Sequence, residues 1–563
     1  MAGALFFVFL FLFCEGYEYG TGNQTVFVPV IESRIQFPHL QADFGVSTHA
    51  LYHPFFNEAM ARLGTLMPLP LVFLVMQTAL LVFLYAVLRK FSVFFRQSAE
   101  VFWLAVLLMF LWGQQGADGN VFWTNRLEAQ YLAWPVLLLA FISYLRGNFA
   151  RAGLWLGLAC LAHFQLGLIA AAVLFSSCFF PDPLPRRSRW LHMTAGFALV
   201  GLPVVIFFVR SFLADKALWG PDFMAFAHMR ATHHMAWNSR LGLLFLLLGL
   251  LPMALEKAWS AESRPALKRL ILLQSLMLVF GALHYADYYL QWGFLARLQF
   301  LRLLPFVYVS GVFFTAWLLL EILKSEKLVL RLAACFLIFA AGPRLIGFRS
   351  LSQNWIYIAS SFLSLALVGV KRPKRPLALL AGLGSIVLLT KILVWVPGQR
   401  PVFTPPVLNY DTSQTRRDDW AKICRSASHW VPKEALVLTP PDKPGFVFLS
   451  KRCAFVEFKS GANHRRTFKE WRSRLELAMG GRSLSRCSGT SACMESIRRG
   501  YEALDEEKIA AISRAYGIGF FISSGPGTYP YEKLAASGPF NLYRLPKIPS
   551  VPFAESNSAP LLH

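Results

Sequence analysis

The strongest constraint on the fold is a series of apolar segments that are long enough to cross a lipid bilayer. A helix needs about 20 mostly apolar residues to span the hydrocarbon core, and residues 67–88, 303–323 and 377–396 meet this requirement. With 56% hydrophobic residues and a mean hydropathy of +0.47, the 563-residue chain is too apolar for an ordinary soluble protein. The sequence therefore predicts a polytopic α-helical membrane protein.

The basic residues indicate how these segments are oriented. The net charge is +24, and Lys and Arg collect in short connectors at residues 89–96, 146–151, 186–189, 256–269, 324–331 and 371–375. Connectors rich in Lys and Arg stay in the cytoplasm, which predicts about eleven spans with the N-terminus inside and the C-terminus outside. The predicted spans are residues 2–16, 67–88, 100–114, 129–145, 191–210, 241–255, 266–284, 301–323, 328–343, 352–370 and 376–396. No nucleic-acid partner is expected, because such binding requires a basic face with stacking aromatic residues in a soluble domain.

Residues 152–178 do not fit this alternation. The segment is apolar but has basic connectors at both ends, and about 27 residues are too few for two crossings of roughly 20 residues each. We expect a re-entrant pair of short helices that breaks near His163, since irregular backbone at membrane depth is tolerated where protein covers it. A misplaced neighbouring span is the alternative interpretation.

Two outer loops and a soluble tail complete the predicted organisation. Residues 1–397 form the transmembrane domain, with a first outer loop at 15–66 and another at 211–240, and residues 398–563 form an extracytoplasmic α/β domain. Strands are predicted at 435–439, 446–449, 454–458, 519–523 and 540–545, and helices at 418–428, 466–479 and 505–516. The tail contains four cysteines, and an even count outside the membrane predicts disulfides, for example Cys424 with Cys453 and Cys487 with Cys493, although the pairing stays open.

Three groups of polar residues are candidates for chemistry at the outer membrane surface. Asp43 in the first loop can serve as a general base or hold a divalent metal, or it can cap a helix at a turn. Arg230, His233 and His234 suit a phosphate or pyrophosphate, the alternative being an interfacial belt that anchors the loop. Arg302, at the outer end of a span, suits a lipid phosphate, or its side chain snorkels to the headgroups.

Four parts of the chain carry a family resemblance. They are residues 19–29 with Asp43, residues 152–165 ending in His163-Phe-Gln, the stretch Arg230-Ala-Thr-His233-His234-Met, and the tail motifs Thr439-Pro-Pro-Asp442, Gly445-Phe446, Arg452, Glu457-Phe458-Lys459 and Glu470-Trp471-Arg472. Together they resemble a bacterial multispan membrane family of unknown function whose layout is similar to that of the GT-C glycosyltransferases. Phe164 stands where the GT-C-type stretch has a proline, and the acidic pair usual in the first outer loop is not present around Asp43.

The resemblance implies a GT-C-like enzyme of the bacterial inner membrane that uses a polyprenyl-phosphate sugar. It implies inverting transfer of that sugar to an envelope glycan or protein acceptor, with Asp43 as the catalytic base and a donor site formed by Arg230, His233, His234, Arg302 and His163. The lipid bilayer is the other expected partner, the C-terminal domain is expected to be periplasmic, and no cofactor is implied beyond an optional divalent metal. Two other functions stay open: a non-catalytic protein that binds lipid-linked glycans, and a lipid or solute transporter.

Overall fold

The computed structural model describes residues 1–50, 52–112, 122–214, 218, 220–230, 264–327, 329–331, 418–461, 464–484, 487, 489–525 and 527–546. These residues are mostly helical and include a small sheet near the C-terminus. In chain order the helices are α1 (Ala2–Cys14), α2 (Gln24–Ile35), α3 (Phe44–His49), α4 (Pro54–Gly64), α5 (Leu69–Phe94), α6 (Ala99–Trp112), α7 (Ala129–Leu145), α8 (Phe149–Ala162), α9 (Phe164–Ser177), α10 (Arg186–Ala214), α11 (Gly220–Arg230), α12 (Arg264–Tyr289), α13 (Leu295–Leu298), α14 (Leu304–Leu323), α15 (Asp419–Trp430), α16 (Phe446–Ser450), α17 (Arg465–Ala478), α18 (Thr490–Glu502) and α19 (Glu506–Tyr516).

Several of these helices have the length and composition of membrane spans. Among the described residues, four candidate spans are long and apolar enough to cross a bilayer: Leu69–Phe94, Arg186–Arg210, Arg264–Tyr289 and Leu295–Leu323. Shorter apolar helices accompany them at Ala2–Leu12, Ala99–Phe110, Ala129–Leu145, Phe149–Ala162 and Phe164–Ser177. The protein is therefore one that associates with a lipid bilayer.

The predicted spans up to residue 323 coincide with described helices, except the one at 241–255. The spans predicted at 241–255, 352–370 and 376–396 lie outside the described residues. Of the span predicted at 328–343, only residues 329–331 are described. The segment predicted to be the first outer loop contains α2, α3 and α4, which follow one another between α1 and α5. Apolar run length, a local property of the chain, was sufficient to locate these helices.

The break predicted near His163 is confirmed. α8 ends at Ala162, α9 begins at Phe164, and His163 between them has extended backbone with φ −150° and ψ 97°. Each helix has 14 residues, which at about 1.5 Å per residue is shorter than the hydrocarbon core of a bilayer. The two helices pack against each other as a hairpin.

α8 also packs against α10 at backbone contact. A Cβ atom on Gly153 would overlap the carbonyl oxygen of Met193, and one on Gly196 would overlap the carbonyl oxygen of Ala150. Small residues at such positions let membrane helices approach closely, where a larger side chain would hold them apart. The glycines of these two helices therefore fix the position of the hairpin.

Three of the connectors between helices lie close together in the structure. Arg269 in α12 donates through Nε to Oδ2 of Asp182 (2.6 Å), through Nη2 to Oδ1 of Asp182 (3.1 Å), and through Nη1 to the carbonyl oxygen of Leu145 (3.0 Å). Leu145 ends α7, and Asp182 lies between α9 and α10. The chain after α7, the chain after α9 and the start of α12 therefore lie together, as the charge pattern predicts for connectors on one side of the membrane.

The described residues form two compact units that do not follow chain order. The helical unit contains the described residues within Met1–Tyr17, Leu74–Val209 and His233–Leu408, and the loop–tail unit contains those within Glu18–Phe73, Arg210–Thr232 and Asn409–His563. The loop–tail unit thus combines the first loop, α11 and the tail, three segments that are predicted to be extracytoplasmic. The boundary predicted at residue 397 lies outside the described residues.

The tail contains a mixed five-stranded sheet. Its strands are β1 (Leu436–Leu438), β2 (Cys453–Ala454), β3 (Phe520–Ser524), β4 (Glu532–Ser537) and β5 (Phe540–Arg544), in the order β2-β1-β3-β5-β4. β1 is parallel to both β2 and β3, while β5 is antiparallel to β3 and β4. Parallel and antiparallel pairs with helices between them confirm the mixed α and β character predicted for the tail.

Some local predictions for the tail are wrong. Residues 446–449, predicted as a strand, belong to helix α16, which follows Gly445 in the left-handed region (φ 86°). The segment predicted as a strand at 454–458 is extended only at its start and continues into a 3-10 turn at Phe458–Ser460. An apolar run of four or five residues suits a strand and a buried helix equally, so only its tertiary partners decide between them. β4 was not predicted, because it is a polar edge strand, and α18 was also missed.

The hydrophobic core of the tail includes residues of the first loop. Val30, Leu40 and Val46 are buried in the same cluster as tail residues such as Phe446 and Leu542. An ion pair adds to this packing, since Lys451 Nζ donates to both carboxylate oxygens of Glu32 (2.8 and 2.6 Å). The sheet and the first loop therefore share one core.

One of the two example disulfides is confirmed and the other is wrong. Cys487 and Cys493 are bonded, whereas Cys424 and Cys453 are free thiols. Both free thiols are buried in the shared core, and the thiol of Cys453 donates to the carbonyl oxygen of His39 (3.7 Å). They behave as small apolar side chains, a common use of buried cysteine.

Candidate functional site

Asp43 lies at the junction of the first loop and the sheet. It is 1% exposed and precedes α3, where its Oδ1 accepts a hydrogen bond from the backbone N–H of Val46 (2.9 Å). Its Oδ2 accepts from the backbone N–H of Ala454 in β2 (2.8 Å). Asp43 is therefore a helix cap that also joins the first loop to the tail. Its predicted role as a catalytic base stays a prediction.

A second buried acid, Glu457, lies within electrostatic range of Asp43. Glu457 is 3% exposed, and its Oε1 accepts a hydrogen bond from the backbone N–H of Phe446 (2.7 Å) at the start of α16. The sequence places the two acids far apart, and Glu457 was not among the predicted site residues. Its position between the apolar residues Val456 and Phe458 was the available signal of burial.

Burial shifts both carboxyl groups toward their neutral forms. It raises the pKa of Asp43 to about 6, against the opposing hydrogen bonds from Val46, Ala454 and Gly45 and the charge of Arg474. Burial, together with the charge of Asp43, raises the pKa of Glu457 to about 8. Two nearby acids with separated pKa values are found at acid–base centres, and they also arise where buried carboxyl groups only cap helices.

The helical unit contains a different polar site, at the break between α8 and α9. His163 is 5% exposed, and its Nδ1 accepts a hydrogen bond from the backbone N–H of Leu166 (3.2 Å). Its Nε2 lies 3.4 Å from Nη1 of Arg302. The structure thus joins two of the predicted donor-binding residues, although they are 139 positions apart.

The protonation of His163 determines what this pair can bind. Because Nδ1 accepts from a backbone N–H, the neutral ring carries its proton on Nε2. The Nε2–H of His163 and the guanidinium of Arg302 are then both donors, and two donors at this separation suit an acceptor oxygen that contacts both. Arg302 lies in the turn before α14 and His163 is the cap of α9, so the positive ends of two helices add to the attraction for an anion.

The backbone around this pair is held by further hydrogen bonds. Gln165 in α9 donates through Nε2 to the carbonyl oxygens of Arg297 (3.1 Å) and Leu298 (3.3 Å). Asp287 accepts from the backbone N–H groups of Phe294 (3.3 Å) and Ala296 (2.9 Å). These bonds satisfy polar groups in a largely apolar unit, where an unsatisfied one is costly. The bonds of Gln165 also join the start of α9 to the segment that precedes Arg302.

The remaining predicted site residues lie elsewhere. Arg230 ends α11 in the loop–tail unit, the unit that also contains Asp43. His233 and His234 lie outside the described residues. Across the described ranges, no group of three or more His, Cys, Asp or Glu side chains is arranged to hold a metal ion.

Comparison with known proteins adds one finding. Residues 418–478, which contain α15, β1, α16, β2 and α17, match a family described as a domain of unknown function (DUF6798). The matched range includes Glu457 and Ala454, whose backbone N–H donates to Asp43. No curated protein matches the chain.

Proposed function

We propose that the protein is a GT-C-like glycosyltransferase of the bacterial inner membrane, with about eleven spans and the helical hairpin at His163. It would move a sugar from a polyprenyl-phosphate donor to an envelope acceptor. The observation that carries the proposal is the contact between His163 and Arg302 in an apolar unit. A buried histidine and a half-buried arginine beside broken helices suit an anionic group delivered on a lipid chain.

The chemistry requires little beyond this pair and a base. The hydroxyl oxygen of the acceptor attacks the anomeric carbon, the bond from that carbon to the phosphate oxygen breaks, and the configuration inverts. The electron pair leaves with the polyprenyl phosphate, whose charge Arg302 and His163 stabilise. A general base removes the proton of the acceptor hydroxyl, and Asp43 is the predicted base.

A second candidate function is binding of a lipid-linked glycan without turnover. The geometry of Asp43 favours it, because each carboxylate oxygen already accepts a backbone hydrogen bond. Asp43 would then be a structural residue, and the His163–Arg302 pair would only bind the lipid phosphate.

The Cys487–Cys493 disulfide supports a periplasmic location of the tail. Structural disulfides persist in oxidising compartments and are rare in the cytosol. The loop–tail unit supports the same topology. Residues of one compact unit are expected on one side of the bilayer. Four crossings by α5, α6, α7 and α10, with a non-crossing hairpin, would return the chain to that side between residues 73 and 210.

The phosphate role is tested by binding of polyprenyl phosphate to the full chain, measured by native mass spectrometry. We expect Arg302→Gln to weaken binding about 10-fold or more, since a charge-assisted hydrogen bond contributes about 1.5–3 kcal/mol. The matched control is Arg151→Gln, an exposed arginine in α8, which should bind normally. Equal binding by the unmodified protein, Arg302→Gln and Arg151→Gln would show that Arg302 does not bind the donor phosphate.

Turnover is tested separately in cells by profiling lipid-linked sugars and envelope glycans. A deletion strain complemented with Asp43→Asn or Arg302→Gln, at matched protein amounts, should accumulate one polyprenyl-phosphate sugar and lose one envelope modification. Full complementation by Asp43→Asn would exclude Asp43 as the base. If purified protein binds the lipid but the deletion changes no glycan, the binding function is favoured.

A further inference from the structure

A second cationic site surrounds Arg230 in the loop–tail unit. The Nη2 of Arg230 donates a long hydrogen bond (3.4 Å) to the carbonyl oxygen of Lys459. Its Nε is shielded from solvent and has no hydrogen-bond partner among the residues that the structure describes. Burial lowers the pKa of the guanidinium, an effect that the Tyr52 hydroxyl partly opposes.

The neighbours of Arg230 have side chains that can donate hydrogen bonds. His49 is 6% exposed and lies within electrostatic range of Arg230 and His464. The ring of Tyr52 contacts that of His49, with centroids 5.1 Å apart, and that of His464, with centroids 6.1 Å apart. We refer to Arg230, His49, Tyr52 and His464 as the Arg230 cluster.

No carboxylate forms an ion pair with Arg230 in the part of the chain that the structure describes. Asp222, which lies on the same helix, instead pairs with Arg465 (3.5 Å). Arg230 is half-buried, and even partial burial of a cation without a counter-charge is unfavourable. Burial lowers the pKa of His49 to about 4 against its hydrogen bond to Gly45, and the charges of Arg230 and His464 lower it further.

An anion would relieve this repulsion. The guanidinium, the phenol and the imidazole rings provide several separate donors, which suits the many acceptor oxygens of a phosphate. His49 Nδ1 contacts the carbonyl oxygen of Gly45 (2.8 Å) and therefore donates to it, which leaves Nε2 as the nitrogen that gains a proton when a negative charge enters.

We propose that the Arg230 cluster is a second anion site, which binds a phosphate or pyrophosphate group. It is formed within the loop–tail unit and shares no residue with the His163–Arg302 pair. The proposal does not depend on sugar transfer, because it concerns binding alone.

The test is the melting temperature of the full chain with inorganic phosphate or pyrophosphate, compared with chloride at equal ionic strength. A ligand that binds the folded state raises this temperature, and we expect a rise of about 2 °C or more at saturating ligand. Arg230→Gln should lose most of the rise without melting lower in chloride, because it removes a half-buried charge that no carboxylate of the described residues compensates. Arg499→Gln, which changes an exposed arginine of the same unit, should keep the rise.

Three results would overturn the proposal. They are no rise in the unmodified protein, an unchanged rise in Arg230→Gln, and a fall of several degrees in chloride for Arg230→Gln, which would indicate a structural arginine. The source of the phosphate is resolved by comparing nanodiscs of neutral and anionic lipid. If a lipid headgroup is the ligand, anionic lipid alone raises the melting temperature, whereas a soluble ligand requires added phosphate in both lipids.

Discussion

The carboxylate of Asp43 accepts a hydrogen bond of 2.8 Å from the backbone N–H of Ala454, a residue 411 positions further along the chain. The bond joins the start of α3 in the first loop to strand β2 of the tail. It is fully buried and is completed by a second bond, from Val46 N–H to the other carboxylate oxygen. Asp43 therefore holds together two segments that the sequence separates by a series of membrane helices.

Replacement of Asp43 by Asn should lower the stability of the loop–tail unit. An amide has one acceptor oxygen where the carboxylate has two, so the N–H of either Val46 or Ala454 loses its partner. A buried unsatisfied donor costs about 1–3 kcal/mol, which should appear as a lower melting temperature of the full chain. Asp222→Asn changes an exposed carboxylate of the same unit and is the control. Equal melting of the two variants would contradict the role assigned to this bond.

The contribution of Asp43 and Glu457 to stability should fall as the pH rises from about 4 to about 8. Burial raises the pKa of Asp43 from 3.8 to about 6 and that of Glu457 from 4.5 to about 8, so between those values the folded protein binds more protons than the unfolded chain. The favourable contribution is complete below the unfolded pKa and is lost as the pH passes the folded pKa.

The measurement for this prediction is the melting temperature of the full chain between pH 5 and pH 8. Glu457→Gln should flatten the curve, because its side chain no longer titrates. Glu507→Gln, at an exposed position in α19, should leave the slope unchanged. A Glu457→Gln curve with the slope of the original protein would show that this carboxyl group does not control the pH dependence.

Added bulk at Gly196 should separate α8 from α10. A Cβ there would overlap the carbonyl oxygen of Ala150, and the helices cannot move apart without losing their contact. Gly196→Leu should reduce the yield of monodisperse protein in size-exclusion chromatography and lower its melting temperature. Ala195→Leu adds similar bulk at the neighbouring exposed position and should be tolerated. If both variants behave alike, close backbone packing is not important at this crossing.

The tail should not fold stably without the first loop. Val30, Leu40 and Val46 fill part of the core of the tail, and their removal would expose apolar surface on Phe446 and its neighbours. Residues 409–563 produced alone should aggregate or bind a hydrophobic dye, and co-production with residues 18–66 should rescue them. A monomeric tail with a cooperative melting transition would show that the first loop only covers an independent domain.

Local sequence patterns were sufficient for some features of the site but not for others. The break at His163 was predicted because its segment is too short for two crossings. Arg302 was predicted as a site residue because it is a charged residue at the end of a span. Their contact could not be predicted, because no local pattern relates residues in different helices. Glu457 was missed for the same reason, since its partner Asp43 lies at the other end of the chain.

The sequence by itself determined that this is a membrane protein with helices at particular places, because apolar run length and charge distribution act within each segment. Tertiary structure alone decided that residues 446–449 are helical, because Glu457 accepts the N–H of Phe446 at the start of that helix. Tertiary structure also decided that the first loop and the tail share one hydrophobic core. Burial of apolar surface and satisfaction of backbone donors depend on which distant segments meet, and that information lies in the packed chain rather than in any local stretch of it.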